Sequence, residues 1–223
     1  MSLLNGFFIR PRVGGDATAI AALVGLPTSV IGDVMGGRLV GTTALRPINR
    51  SAVVTCGNAF TVRVRAGDNL LIHKALDMLE AGDVLVVDGE GDVSRALVGE
   101  IMMTSARVRG AVAFVMDGAV RDAEAFETHQ FPCWARGISL RGPYKDGPGS
   151  INVPVTIGGM VVNPGDVVVG DSDGIVAVPC HLAEQVARLA HAKVAQEQEM
   201  IASILDGTYS SAWVDEALQQ KGV

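Results

Sequence analysis

Apolar residues at helical spacing predict helices at both ends of the chain. A first helix is predicted over residues 17–24, and a second begins after Pro27 and runs to about Met35. Towards the other end, the pattern predicts a long helix over about 181–205 and a short amphipathic helix over 211–220. N-terminal helices and a long C-terminal helix therefore flank the central part of the chain.

The central part alternates between short apolar runs and amphipathic stretches. Residues 52–65 are rich in strand-forming side chains but are interrupted at Gly57-Asn58, which predicts two short strands or a bulge. Asp68 is predicted to cap the helix that follows it. The next predicted elements are a strand at 84–87, a helix at about 99–107, a strand at 112–116 and a short helix at 123–127. Strands that alternate with helices indicate a layered α/β fold.

The chain from Cys133 onwards is typical of β structure. Short strands are predicted at 153–157, 160–162, 167–169 and 175–178, separated by turns rich in glycine, proline and aspartate. No internal repeat and no low-complexity linker divides the sequence. We therefore predict a single α/β domain over residues 1–223, with its core at about 28–180 and a C-terminal helical extension at about 181–223.

Composition and charge narrow the possible partners. Of the 223 residues, 48% are hydrophobic and only 4% are aromatic, so the chain can bury a core, and that core is aliphatic. The formal net charge of −6, without a basic patch, argues against nucleic acid as the main ligand. No apolar run approaches the roughly 20 residues that span a membrane, and we expect no membrane association.

The cysteines and the first residues bear on the compartment. The three cysteines are far apart and form no CxxC pair, which predicts reduced thiols and a cytoplasmic protein. The first twelve residues lack the basic start and the long apolar middle of a signal peptide, so we expect no signal peptide here.

Arg121 and Asp122 are the strongest candidates for a functional site. The apolar run 112–116 predicts a buried strand, and Asp117-Gly118 predicts the turn that ends it. Charged residues so close to the end of a buried strand are poor core residues, and they lie where clefts form in α/β sheets. A guanidinium binds carboxylates in a planar fork, and a carboxylate can hold a divalent cation. The pair therefore predicts an oxygen-rich anion bound together with a metal ion.

The start of the helix at Gly99 is the second piece of the predicted site. Backbone N–H groups in the first turn of a helix are unpaired and attract carboxylates, and a glycine there permits close approach. We expect a 2-oxo acid to place its carboxylate on the amides of Ile101 and Met102. Its keto oxygen then reaches Arg121 and a Mg²⁺ held by Asp122, which together stabilise an enolate when a C–C bond breaks.

Three glutamates are further candidates, and each also has a simpler interpretation. Glu100, at the same helix start, is also typical of a first-turn acid that complements the helix dipole. Glu197 and Glu199, on the last helix, are also typical of a solvated face. Arg121-Asp122 likewise fits a surface ion pair in which the aspartate caps a helix.

These segments resemble a known family of aldolases. Gly99-Glu-Ile-Met102 and Asp117-Gly-Ala-Val-Arg121-Asp122 resemble the site of the 4-hydroxy-4-methyl-2-oxoglutarate / 4-carboxy-4-hydroxy-2-oxoadipate aldolase family, which shares its fold with the regulator of ribonuclease activity A. The family pattern is an acidic residue, twenty further residues and then Arg-Asp, and here twenty residues lie between Glu100 and Arg121. The resemblance continues through 57–62, 82–87, 141–147 and 170–175, and so covers nearly the whole chain after the first two dozen residues.

The resemblance implies a fold, an assembly and a cofactor. The fold is a three-layer β/β/α swivelling domain like that of phosphohistidine domains, and the assembly is a homotrimer or a dimer of trimers. The cofactor is Mg²⁺ or Mn²⁺, bound by Asp122 with water in most other positions. Arg121 contacts the 2-oxo acid, while the amides of Ile101 and Met102 bind its carboxylate. Glu100 orients metal-bound water and takes part in proton transfer, and Glu197 of an adjacent subunit helps to hold the waters.

The chain departs from the family pattern at Glu100, where the aldolases usually carry Asp. The extra methylene group moves the carboxylate by about 1 Å, and misplacement on that scale can lower a rate about 10²-fold.

Other polar residues carry weaker expectations. None of the histidines has a partner at metal-ligand spacing, so we predict structural or solvated roles for His73, His129, His181 and His191. Arg141 and Lys145 lie on a Gly/Pro-rich loop that either borders the cleft, where they contact a distal substrate carboxylate, or stays in solvent.

Two functions from different classes follow. The first is a metal-dependent lyase that cleaves 4-hydroxy-2-oxo di- or tricarboxylic acids to pyruvate and a second oxo acid. Oxaloacetate decarboxylation is its expected side activity, because it passes through the same enolate. The alternative is a non-catalytic protein that binds and regulates a ribonuclease. The fold relatives with that role lack the metal-binding aspartate, so Asp122 favours the enzyme.

Overall fold

Ten strands of alternating apolar residues join into one mixed sheet. A computed structural model describes residues 6–37, 42, 44–51 and 53–222 of the protein. Its strands are β1 (Phe7–Ile9), β2 (Arg46–Pro47), β3 (Thr55–Val64), β4 (Asp83–Asp88), β5 (Ala96–Val98), β6 (Ala113–Val120), β7 (Cys133–Ile138), β8 (Gly149–Ile151), β9 (Val155–Ile157), β10 (Met160–Val162), β11 (Val167–Gly170) and β12 (Ile175–Val178). Its helices are α1 (Ala17–Leu23), α2 (Thr28–Val34), α3 (Leu70–Leu76), α4 (Glu100–Val108), α5 (Ala123–Thr128), α6 (Ala183–Leu205) and α7 (Ala212–Gln220).

Parallel strands form the centre of the sheet. The strand order is β1-β8-β3-β4-β6-β7-β2, and β3, β4, β6 and β7 are mutually parallel. The short strand β5 pairs in parallel with the last residues of β6. Strands β11 and β12 extend the sheet as an antiparallel pair beside the first half of β3. The carboxyl ends of β4, β5 and β6 therefore lie at one edge, where the predicted site residues follow.

Strict alternation along the strands buries both faces of the sheet. Leu85 and Val87 of β4 pack with α3, α4 and α5 on one face, in a core that also contains Phe114 and Phe126. The intervening side chains point to the other face and pack with Trp134 and the β9–β10 hairpin. The fold therefore has three layers, which are the β9–β10 hairpin, the mixed sheet and the helices packed on its other face. The predicted three-layer β/β/α class is confirmed.

The terminal helices pack together beside β11 and β12. Leu23 of α1 and Ile31 of α2 are fully buried against β11, β12 and the first half of α6, including Ala190. The predicted N-terminal helices and the long C-terminal helix are confirmed. In contrast, the second half of α6 and all of α7 expose large apolar side chains. These exposed side chains are Met200, Ile201, Ile204, Leu205, Trp213, Val214 and Leu218.

Within the described ranges, no single helix is long and apolar enough to cross a membrane. The bent pair of α1 and α2, which turns by 106°, passes the same test of length and composition.

The predicted turn at Asp117-Gly118 is wrong, because β6 runs through it to Val120. The pairing of β6 with β7 shifts register between Met116 and Ala119, so the two residues form an irregularity within the strand. The Asp117 carboxylate is buried there because the Arg136 side chain and the Gly158 amide both donate to it. A buried carboxylate with two donors is compatible with a strand, and the sequence pattern alone does not reveal those donors.

The predicted break at Gly57-Asn58 is also wrong. Within the described residues of that stretch, β3 is one continuous strand, and Ala52 lies outside the described residues. Gly57 is needed because a Cβ atom there would lie 2.5 Å from the carbonyl oxygen of Gly82. Asn58 is buried because its amide donates to the Asp83 carboxylate at 2.7 Å. These two residues therefore serve close packing and buried hydrogen bonding, and do not end a strand.

Asn49 offers a test of this fold, because its buried side chain makes three hydrogen bonds. Its amide donates to the carbonyl oxygens of Phe126 and Phe131, and its carbonyl accepts from the Cys133 N–H. We expect Asn49→Ala to lower the free energy of unfolding by about 2–4 kcal/mol, because the Phe131 carbonyl and the Cys133 N–H lose their partner, whereas the Phe126 carbonyl still accepts from the Phe131 N–H. Urea denaturation measures this change. Lys74→Ala, at an exposed position of α3, is the control and is expected to stay within about 0.5 kcal/mol. Equal values for both variants contradict the assignment.

Candidate active site

The candidate site lies where β5 and β6 end side by side. Gly99 follows β5 and precedes α4, and Arg121 follows β6 and precedes Asp122 and α5. The Arg121 N–H donates to the Val98 carbonyl at 3.0 Å, which holds the two strand ends together. Parallel pairing thus brings residues 99 and 121 into contact although 21 positions separate them along the chain.

Gly99 is required by the position of Asp122. A Cβ atom at residue 99 would overlap the Oδ2 atom of Asp122 and would lie 2.9 Å from Cγ of Arg121. The Asp122 Oδ2 atom accepts a hydrogen bond of 3.1 Å from the backbone N–H of Glu100. Asp122 therefore caps the start of α4. Although it precedes α5 directly, its side chain makes no capping hydrogen bond to that helix.

The backbone of Asp122 is in the left-handed region, with φ 56° and ψ 43°. Non-glycine residues rarely adopt this conformation, which costs about 1–3 kcal/mol unless the surroundings enforce it. The carboxylate of Asp122 also lies 3.7 Å from Nε of Arg121, and both side chains remain partly exposed. An acidic and a basic group thus share one rigid strand end and stay accessible to a ligand.

Two backbone amides at the start of α4 lack partners. Among the described residues, none accepts a hydrogen bond from the N–H of Ile101 or Met102, whereas Met103 N–H donates to Gly99. The side chain of Ile101 is exposed and that of Met102 is buried. Unpaired amides at the positive end of a helix dipole favour an anion such as a carboxylate.

Asp122 separates two cavities of different charge. The first has a volume of about 130 Å³, and its wall contains Gly99, Ile101, Met102, Arg121, His73 and Lys145. The second has a volume of about 340 Å³ and is lined by Glu100, Asp122, Glu124, Ala125, Thr128 and His129. Cationic groups and a helix N-terminus therefore face the first cavity, whereas three carboxylates face the second.

His73, Asn69 and His129 line these cavities, although sequence reasoning did not select them. His73 is exposed, as predicted, but burial and the nearby charge of Lys145 lower its pKa, and Asp77 only partly opposes them. Asn69 donates to the carbonyl of Leu97, and its buried Oδ1 atom has no hydrogen-bond partner among the residues that the structure describes. The sequence shows that His73 lies on the polar face of α3, but it does not show which element lies across the cavity from α3.

Lys145 lines the first cavity, and Asp68 fixes the loop that carries it. The fully buried carboxylate of Asp68 accepts hydrogen bonds from the N–H groups of Leu70, Asp146 and Gly147. The loop also donates the N–H of Tyr144 to Gly67 at 2.8 Å. For the other loop cation, Arg141, the structure agrees with the solvent alternative, since it is exposed and is not part of the cavity wall.

Glu197 and Glu199 lie on the exposed second half of α6. Glu197 is 3.7 Å from Lys193, whose ammonium group is 2.7 Å from Asp33 on α2. No contact between either glutamate and the two cavities occurs within the described part of this chain. A single copy of the protein thus does not bring them to Asp122.

The donor set at Asp122 suits a metal ion that keeps much of its water. No group of three or more His, Cys, Asp or Glu side chains in the described residues is arranged to hold a metal ion. The protein donates at most one or two carboxylates here, which is typical of Mg²⁺ because that ion retains several waters. The wide acidic cavity beside Asp122 offers room for such a hydrated ion.

A larger cavity at the opposite edge of the sheet is a weaker candidate for an active site. It has a volume of about 510 Å³ and mostly apolar walls, between the α1–α2 turn and the starts of β3 and β6. Its Cys56 thiol is protonated at neutral pH, because burial raises its pKa to about 11. Its Asp171 carboxylate is engaged by the N–H and the hydroxyl of Thr28. We therefore place the candidate active site at Asp122.

Comparison with known proteins agrees with the fold. The family described as RraA-like, Aldolase/RraA, matches residues 28–177. A protein of Halalkalibacterium halodurans is 38% identical over 181 residues, which cover 81% of this chain and 86% of that protein. It carries the provisional name 4-hydroxy-4-methyl-2-oxoglutarate aldolase. The chain therefore belongs to the RraA-like family, and the resemblance seen in its sequence is confirmed.

Solved structures share the same fold. An uncharacterized protein from Pseudomonas syringae pv. tomato superimposes with a TM-score of 0.79 at 25% identity, covering 88% of this chain and 96% of that one. The RNA-processing inhibitor RraA from Thermus thermophilus superimposes with a TM-score of 0.63 at 29% identity, covering 69% and 92%. The relatives thus include one named for aldolase chemistry and one named for RNA processing.

Asp68 provides a pH-dependent test of the loop at the site. Burial opposes ionisation of Asp68, but three backbone donors and Arg65 outweigh it and lower its pKa below 3.8. A lowered pKa in the folded state stabilises the protein above the unfolded pKa, and this stabilisation is lost as the pH falls through the folded pKa. We expect Asp68→Asn to cost about 1–3 kcal/mol at pH 7 and progressively less below about pH 4.

Urea denaturation at several pH values measures this difference. Asp146→Asn is the matched control, because that carboxylate is largely exposed and lies 3.7 Å from the same Arg65. It is expected to change the stability by less than about 0.5 kcal/mol at every pH. A cost of Asp68→Asn that stays constant down to pH 2.5 contradicts the role assigned to the carboxylate.

Gly99→Ala tests the contact between Gly99 and Asp122. The backbone of Gly99 is extended, so alanine is tolerated there and only the added Cβ atom disturbs Asp122. We expect a loss of about 1–3 kcal/mol in unfolding free energy and, in a crystal structure, displacement of Asp122 from the Glu100 N–H. Gly142→Ala is the control, because its Cβ atom would lie 3.7 Å from Arg121, an ordinary contact. An undisplaced Asp122 in Gly99→Ala refutes the close contact.

Proposed function

We propose that the protein is a divalent-metal-dependent lyase that cleaves 4-hydroxy-2-oxo acids to pyruvate and a second oxo acid. The observation that carries this proposal is the position of Asp122 and Arg121 beside two unpaired amides of α4. The name of the Halalkalibacterium relative supports aldolase chemistry. Oxaloacetate decarboxylation is the expected side activity, because both reactions pass through an enolate of pyruvate.

The first cavity suits the 2-oxo acid end of such a substrate. The amides of Ile101 and Met102 bind its carboxylate, as helix N-termini bind anions. Arg121 binds the keto oxygen and donates hydrogen bonds to the oxygen that gains charge when the C–C bond breaks. The cavity volume of about 130 Å³ suits a ligand of pyruvate size.

Asp122, whose side chain borders both cavities, would hold a Mg²⁺ or Mn²⁺ ion. When bound, the ion supplies positive charge that stabilises an enolate oxygen. Oδ2 of Asp122 is occupied by the Glu100 N–H, so the other carboxylate oxygen is available for the ion. Glu124 and Glu100 line the second cavity and attract the cation without binding it directly.

Glu100 is the candidate for proton transfer. Its backbone is fixed by Asp122, while its partly exposed side chain lies in the second cavity. From there its carboxylate would exchange a proton with the substrate through a water molecule. Lys145 and His73 are exposed side chains in the wall of the first cavity, so they can bind the second carboxylate of a diacid substrate that extends out of the cavity.

A homotrimer or a dimer of trimers completes the site in this proposal. The apolar side chains exposed on the second half of α6 and on α7 are more numerous than a free helix in water carries without a partner. Glu197 of a neighbouring copy then reaches the second cavity and holds water there. Protein–protein contact of this kind explains why one copy leaves Glu197 far from Asp122.

The second candidate function is regulation of a ribonuclease without catalysis. It is supported by the 29% identity and the TM-score of 0.63 with the Thermus thermophilus RNA-processing inhibitor RraA. A pull-down that recovers a stoichiometric ribonuclease, together with absence of any divalent metal ion from the purified protein, favours this candidate over the lyase.

Pyruvate release from oxaloacetate and from 4-hydroxy-4-methyl-2-oxoglutarate tests the lyase directly. With Mg²⁺ or Mn²⁺ we expect turnover that a chelator abolishes. Asp122→Asn is expected to lower kcat/KM by about 10²-fold or more, because the metal ion loses its carboxylate ligand. Arg121→Lys is expected to lower it as well, because lysine keeps the charge but loses the planar fork.

Glu184→Gln, at an exposed carboxylate in the first turn of α6, is the control and is expected to keep wild-type activity. Turnover that persists with the chelator, or in Asp122→Asn, removes the metal from the proposal. No pyruvate from either substrate with any divalent ion removes the lyase.

A further inference from the structure

We infer that His129 is a positioning residue that holds the carboxylate of Glu100 beside Asp122. This inference rests on the proposed function for its kinetic consequence, but the contact itself is independent of it. Nε2 of His129 lies 3.8 Å from Oε1 of Glu100, across the acidic cavity. The sequence predicts a structural or solvated role for this histidine, and the structure shows it exposed and also in the wall of the acidic cavity.

The helix α5 places His129 with little freedom. The helix begins directly after Asp122 and ends at Thr128, and the N–H of the next residue, His129, donates to the Ala125 carbonyl at 3.0 Å. Phe126, at the centre of α5, is fully buried and packs edge-on against Phe114 of β6. Because α5 is short and anchored in the core, it holds His129 at a defined position relative to Asp122.

Glu100 needs such a partner because its own side chain is long. The backbone of Glu100 is held by the Asp122 carboxylate, but its side chain has three rotatable bonds and is partly exposed. Among the described residues, His129 is the one partner of the Glu100 carboxylate. The cavity wall otherwise contributes Asp122 and Glu124, which repel Glu100.

His129 is also the one basic side chain in the wall of the acidic cavity. Its Nε2–H group attracts the Glu100 carboxylate either as imidazolium or as a neutral tautomer that donates a hydrogen bond directly or through water. His129 therefore selects the rotamer of Glu100 that points into the cavity shared with Asp122. Without it, repulsion from the other two carboxylates drives the Glu100 side chain towards solvent.

Replacement of His129 separates positioning from binding. We expect His129→Ala to lower kcat for pyruvate release about tenfold or more, because a displaced Glu100 transfers protons poorly. The KM for the 2-oxo acid is expected to change less than about threefold, because Arg121 and the α4 amides are untouched. His129→Asn is too short to reach Glu100 and is expected to behave like His129→Ala. His129→Gln restores a donor at similar reach and is expected to recover most of kcat.

A double-mutant cycle with Glu100→Gln tests whether His129 acts through Glu100. In the Glu100→Gln background, His129→Ala is expected to have no further effect on kcat. An equal loss of kcat in both backgrounds overturns the inference. His191→Ala, at an exposed histidine of α6, is the control and is expected to keep wild-type kcat.

Crystal structures of the wild type, His129→Ala and His129→Asn provide the readout that needs no activity. The Glu100 carboxylate is expected to lie in the cavity in the wild type and to leave it in both variants. An unchanged Glu100 side chain in the variants overturns the inference, even in a protein that releases no pyruvate. If the wild type releases no pyruvate but the Glu100 side chain moves in the variants, the proposed reaction is refuted and the contact between His129 and Glu100 stands.

Discussion

The hydrogen bond from the Glu100 N–H to the Asp122 carboxylate is the interaction on which the candidate site depends. It joins the ends of two parallel strands, caps α4 and orients the carboxylate between two cavities of opposite charge. The bond exists only because Gly99 has no side chain to displace Asp122. The contact thus combines a left-handed backbone at residue 122 with an extended glycine at residue 99.

Much of the fold was predictable because burial on both faces leaves a clear pattern. The strand β4 and the helices α1, α2, α6 and α7 were located to within one or two residues. Very short strands such as β5 carry too few residues to show a period, although β5 supplies half of the site. Asp117 and Asn58 were misinterpreted as turn residues, because their partners, Arg136 and Asp83, become neighbours only after folding.

The same distinction applies to the site. Arg121, Asp122 and the start of α4 were recognisable, because each lies at the end of an apolar run or shares a family spacing, although their chemical roles remain predictions. Asn69, His73 and His129 were not, since they reach the cavities from other elements. The acidic character of the second cavity is likewise a property of packing, because α4 and α5 bring Glu100 and Glu124 together.

The left-handed backbone at residue 122 also limits which substitutions this position can accept during evolution. Besides aspartate, glycine and asparagine tolerate that conformation readily, whereas branched and bulky residues strain it. The accessible replacements therefore preserve the backbone while they remove the negative charge. A lineage can in this way lose the carboxylate in one step and keep the backbone of the site.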